Sequence, residues 1–133
     1  MISIIRAVSN NVCLTLTEKT TVAVPIYLFS FTHPQSGTNK TFISADISIY
    51  KDRYNEFLIT EKQVNPNNLL GEVFLKFEGY WNYEVYAQTS NSNLIVANAT
   101  ELVEKGKVYV VPAVVTDNAP TTSIYDTITT FNG

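Results

Sequence analysis

Histidine, cysteine and tryptophan each occur once in this 133-residue chain, and glycine and proline five times each. Each scarcity excludes something. With Cys13 alone no disulfide can form within the chain, and Cys13 reads as a small residue in a strand. With His33 the single histidine, no metal site of the Cys/His type can be assembled, because such a set needs three or four donors. His33 precedes Pro34 in a polar stretch, and the expectation is an exposed loop histidine. The glycines (Gly37, Gly71, Gly79, Gly106, Gly133) are spread out, so no phosphate-cradling loop exists. Neither a G-x-S-x-G elbow nor a D-x-D-x-D calcium loop is present. Carboxylates such as Asp46, Asp52, Glu56, Glu72 and Glu84 show no pairing beyond what any chain of this size offers. No catalytic residue, metal or cofactor is expected, and the chain reads as a binding or building module.

Charge is sparse too. Charged residues make up 16% of the chain, with nine Lys and Arg against twelve Asp and Glu, a net charge of −3 and a pI near 5.0. Neutralising phosphates takes several cations on one face, and the nearest basic pair, Lys105 and Lys107, only flanks Gly106. No nucleic-acid partner is expected. Long apolar runs are missing as well, so no segment reads as a membrane span. Met1-Ile2-Ser3-Ile4-Ile5-Arg6 is too short and interrupted for a signal peptide. The expectation is a protein made and assembled in the cytoplasm, where the triplets Asn39-Lys40-Thr41 and Asn98-Ala99-Thr100 are not glycosylated.

What the chain has in quantity is Thr, Val, Ile and Tyr, which suit a half-buried pleated surface. Its dominant period is two. Val12, Leu14 and Leu16 alternate with Cys13, Thr15 and Thr17. Residues 27–32 form a second strand, closed by the turn 33–39. Residues 41–49 return as its hairpin partner with Ile43, Ala45, Ile47 and Ile49 on one face. A strand follows over 53–61, with Phe57 and Ile59 together. After the loop 65–68 come Val73, Leu75 and Phe77 on one face, then residues 83–88. The last strand, 107–111, follows an expected turn at Gly106, with a helical turn over 98–104 before it. About seven or eight such strands make an all-β fold, a single antiparallel β-sandwich. The favoured topology is immunoglobulin-like, because Tyr83 and Val85 have the spacing of a tyrosine that caps a corner through its hydroxyl.

At 133 residues the chain fits one domain, which buries roughly two-thirds of its unfolded surface. The domain is expected over 1–111, followed by an extended arm over 112–133. Two prolines and many threonines argue against a core element there, while Ile124, Tyr125, Ile128 and Phe131 supply apolar anchors for a neighbouring subunit. Outward-facing aromatics are the other candidates for contact. By alternation Phe74 and Tyr86 face out, Tyr80 and Trp81 occupy a turn, and Tyr50 and Tyr54 flank a connection.

A set of motifs spread over about residues 12–111 resembles a group of small proteins encoded by tailed bacteriophages, crAss-like gut phages and marine phages among them. It comprises Leu14-Thr15-Leu16-Thr17, Tyr27-Leu28-Phe29-Ser30-Phe31-Thr32, Arg53-Tyr54-Asn55-Glu56-Phe57 and Gly71-Glu72-Val73-Phe74-Leu75. Tyr83-Glu84-Val85-Tyr86-Ala87-Gln88-Thr89-Ser90 and Leu102-Val103-Glu104-Lys105-Gly106-Lys107-Val108 complete it. The resemblance implies a virion structural protein, located in the virion and present in many copies. It further implies an auxiliary capsid subunit whose partners are other virion proteins, the major capsid protein foremost. It assigns no catalytic residues. The alternative, from the aromatics alone, is a free recognition module that binds host-surface glycan or protein through Tyr80, Trp81 and Tyr86, or a neck or tail component.

Overall fold

A computed structural model describes residues 1–50 and 53–112. Eight strands follow in chain order: β1 (Ile2–Ile5), β2 (Ser9–Leu14), β3 (Ile26–Thr32), β4 (Asn39–Ser44), β5 (Asn55–Glu61), β6 (Glu72–Val73), β7 (Gly79–Gln88) and β8 (Glu101–Val111). They form a five-stranded sheet ordered β1-β8-β7-β3-β4 and a three-stranded sheet ordered β2-β5-β6. The all-β sandwich expected from the period of two is therefore present. It is not purely antiparallel, because β1 pairs in parallel with β8, and β6 in parallel with β5.

The order β8-β7-β3-β4 follows the G-F-C-C′ succession of a variable-type immunoglobulin sheet, and the β2–β5 pair stands where B and E pair. Two departures matter. The short β6 comes after β5 rather than before it, and nothing among the described residues pairs with β2 on its other side, where strand A of that fold would lie.

Alternation along the strands builds the core. Tyr27, Phe29 and Phe31 of β3, Trp81, Tyr83, Val85 and Ala87 of β7, and Val108 and Val110 of β8 point inward from the large sheet. Val12, Phe57, Ile59 and Val73 meet them from the small one. Phe29 is the hub: its ring stacks on Phe42 at 5.1 Å and meets Phe57 edge-on at 5.0 Å. Such aromatic pairs contribute about 0.5–1.5 kcal/mol each beyond the burial of their surface.

At one end, residues 6–8 carry the chain from the large sheet to the small one, with Ala7 at a φ of 65°. The buried carboxylate of Glu61 holds this corner. One oxygen accepts from Ala7 N at 2.8 Å and the other from Leu75 N at 2.9 Å, so both elements are tied to the end of β5.

Three expectations need correction. Strand β4 stops at Ser44 rather than running to residue 49. The carboxylate of Asp46 takes the backbone N–H and hydroxyl of Ser48, a local bond that competes with strand pairing. Ala45, Ile47 and Ile49 are consequently exposed. Gly106 makes no turn either. Strand β8 runs straight through it, and the helical turn falls earlier, at Val96–Asn98. Finally, the hydroxyl of Tyr83 donates to the Glu104 carboxylate at 2.8 Å instead of capping upstream backbone. The expected 33–39 turn does join β3 to β4, but it ends one residue early, because Asn39 already belongs to β4 opposite Thr32.

Candidate interaction surfaces

The sequence-derived aromatic candidates do not form one surface. Trp81 is wholly buried, because β7 begins at Gly79 and Trp81 shares the inward parity of Tyr83 and Val85. Its indole N–H donates to Phe77 O at 2.9 Å, which satisfies the ring's polar atom inside the core. Tyr80 stays exposed on the outer face of the large sheet, where its ring lies 4.8 Å from that of Tyr109, a residue the sequence reading passed over. Tyr86 is half-buried on the same face and donates to Glu84 at 2.6 Å. Burial, then the bond to and charge of Glu84, push the Tyr86 phenol up to about 12. Phe74 is half-buried with the Lys40 ammonium 5.8 Å above its ring. Tyr50 is exposed, and Tyr54 is half-buried with its N–H on Tyr50 O at 3.1 Å. Ile124, Tyr125 and Phe131, with the 112–133 arm beyond Pro112, lie outside the described residues.

His33 is buried, contrary to the exposed loop residue expected. Its ring stacks on Phe77 at 4.6 Å and tilts against Trp81 at 5.2 Å. Nδ1 accepts from Ser36 N at 3.2 Å, so the ring closes the hairpin turn.

A cluster of exposed apolar side chains lies elsewhere, along the join between β4 and β5. Ile47, Leu58, Leu69 and Leu70 are 51%, 44%, 41% and 71% exposed, and with Ala45 they line a groove of about 200 Å³. A larger groove of about 590 Å³ continues from Ala45, Leu69 and Leu70 past Pro25 to Asn91 and Ser92. Its backbone is stiffened on both sides. Ile43 N donates to Asn68 O and Gly71 N to Ile43 O, both at 2.7 Å, which fixes the 67–71 loop against β4. Gly71 is required there. Its φ is 74°, and a Cβ would lie 2.7 Å from Leu58 O.

Beside this ground sits a polar knot. Asn55, almost wholly buried, accepts from Leu16 N at 2.7 Å and Thr17 N at 3.1 Å, and donates to Asp46 at 2.7 Å. Asp46 also accepts from Ser48 and from Glu56 N at 3.3 Å. Burial alone would raise the Asp46 carboxyl. The bonds from Asn55, Ser48 and Glu56 outweigh it and hold the group below its ordinary range. On the opposite flank, Glu101 accepts from the hydroxyl of Thr20 and the N–H of Thr21, both at 2.6 Å, and Lys19 pairs with Glu104. These bonds pin the 17–24 segment over the inner face of β8.

Among the described residues no group of three or more His, Cys, Asp or Glu side chains is placed to hold a metal ion. No protein-family model matches the chain, and no curated protein matches it. Among solved structures, 85% of the chain superposes on 17% of a candidate glycoside hydrolase from Bacteroides vulgatus, at 12% identity and a TM-score of 0.44. A likeness of that size carries no argument about function.

Proposed function

We propose that this chain is a virion structural protein of a tailed phage, an auxiliary capsid subunit that works by binding other virion proteins and catalyses nothing. The observation that supports this reading is the apolar ground formed by Ala45, Ile47, Leu58, Leu69 and Leu70. Apolar side chains gathered on a rigid, hydrogen-bonded frame suit a permanent protein contact, where the cost of ordering is already met. The phage resemblance set out above supplies the kind of partner. Copy number in purified particles, measured by quantitative mass spectrometry, tests the reading. A ratio close to that of the main shell protein supports the capsid role, and absence from particles overturns it. Leu70→Asp is expected to fold normally and to lose incorporation.

A second reading follows from the Tyr80–Tyr109 pair, whose exposed rings lie beside Asn82 and Lys107 on one sheet face. Paired rings with polar neighbours suit a host-surface glycan. Tyr109→Ala would then abolish binding to host cells without loss of fold, and unchanged binding removes this alternative.

A further inference from the structure

The small sheet has an edge, on the outer side of β2, that no other described strand pairs with. Glu61 N donates to Val8 O at 3.2 Å, so the even-numbered residues of β2 turn their backbone groups toward β5. By alternation the N–H and C=O groups of Ser9, Asn11 and Cys13 point away from β5, and they have no backbone partner among the described residues. The facing strand is closed at one end. On β1 the outward N–H and C=O of Ile5 are both taken by the Asn10 side chain, at 2.9 and 3.0 Å. Between the two edges lies a groove of about 170 Å³ bordered by Met1, Ser3, Asn11 and Cys13.

Free edges are ordinarily blunted by lysine, proline, a bulge or a covering loop. The outward residues of β2 are Ser9, Asn11 and Cys13, all exposed, and none is charged. This is also the side of β2 where the immunoglobulin sheet carries its strand A. The described chain supplies no such strand, because β1 is committed to β8.

We propose that this edge is a strand-acceptor site, and that its occupant is the C-terminal segment, residues 113–133, of a second copy of this chain. The proposal rests on the assembly reading above and names one of its contacts. Where the described chain ends gives the first argument. Strand β8 finishes beside Ile5, with Arg6 N on Val111 O at 3.1 Å, so the segment leaves the fold where the chain passes from the large sheet to β2. Length is the second: 21 residues span up to about 70 Å when extended, ample to reach an adjacent subunit. Composition is the third. After Pro120 the segment has no further proline and one charge, Asp126, while Ile124, Tyr125, Thr127, Ile128 and Phe131 favour strand pairing.

Cys13 provides the reporter, because it is the chain's single cysteine and borders the groove. Full-length wild-type chain is mixed with full-length Cys13→Ser chains carrying Ile124→Cys, Ile128→Cys or Phe131→Cys, under mild oxidation, and the disulfides are mapped by mass spectrometry. The expected product joins Cys13 of one copy to the introduced cysteine of another. Asn11→Pro removes one outward N–H without touching the ladder to β5, and should abolish that product while Trp81 emission reports an intact fold. Ser9→Pro serves the same purpose if Asn11→Pro does not fold. Products confined to like-with-like disulfides, or a Cys13 adduct that survives the proline variants in folded protein, overturn the acceptor site. Particle copy number is a separate readout, so loss of the acceptor site leaves the capsid reading standing, and absence from particles leaves the disulfide result standing.

Discussion

Tyr83 on β7 lies directly opposite Gly106 on β8, and its ring covers the glycine so closely that a Cβ there would sit 2.9 Å from Tyr83 Cε1. A glycine inside a strand ordinarily weakens it, and an aromatic ring laid over the bare backbone restores the lost contact. The same ring donates through its hydroxyl to Glu104, two residues earlier on β8. Burial, then the bond to and charge of Glu104, raise the Tyr83 phenol well above its ordinary value. Gly106→Ala is therefore expected to destabilise the domain by about 1–3 kcal/mol through overpacking. Urea unfolding checks it, and a neutral result would mean that the ring can move aside.

Trp81→Ala should cost about 3–5 kcal/mol, the range for removing a large buried aromatic. Phe77 O would lose its indole donor and His33 one of its two ring neighbours. As the single tryptophan is buried, native emission should be blue-shifted and move to the red on unfolding. Emission typical of exposed indole in the folded protein would contradict the placement.

Asp46 makes stability acid-sensitive. Its folded-state carboxyl lies below the ordinary carboxylate value, so the unfolded chain takes up the proton first as pH falls. The contribution is present above that value and is lost as pH falls through the lower, folded one. Asp46→Asn should flatten the acid limb of a stability–pH curve measured by urea unfolding. At neutral pH it should cost about 1–3 kcal/mol, because an amide cannot accept all the same bonds. An unchanged acid limb would refute the assignment.

Glu61→Gln isolates the corner. Each carboxylate oxygen accepts one backbone N–H, from Ala7 and from Leu75, and an amide leaves one of those donors facing an NH₂ group. The expected loss is about 1–3 kcal/mol. Hydrogen exchange of the Ala7 and Leu75 amides, faster in the variant, separates this from a general loss of packing.

Much of this could be read along the chain. The inward set of β7 was legible as far as Tyr83 and Val85, and extending the same parity back two residues would have buried Trp81. Gly79 obscured that step, because a glycine next to two aromatics reads as a turn. Ile43, Ala45, Ile47 and Ile49 kept the period of a strand, yet only Ile43 is buried, since Asp46 takes the N–H of Ser48 and ends the pairing. His33 gave no signal at all. Its cover comes from Phe77 and Trp81, more than forty residues further on.

A period of two is a local property of the backbone, so the chain alone announces an all-β fold, the place where the β3–β4 hairpin turns, and the residues of most strands that share a face. Which of those faces is covered, that β1 runs parallel to β8, and that no described strand pairs with the outer side of β2 emerge only in the folded molecule. Those outcomes depend on partners supplied from distant positions, and side-chain alternation marks two faces of a strand without saying what will lie against either one, or along its edge.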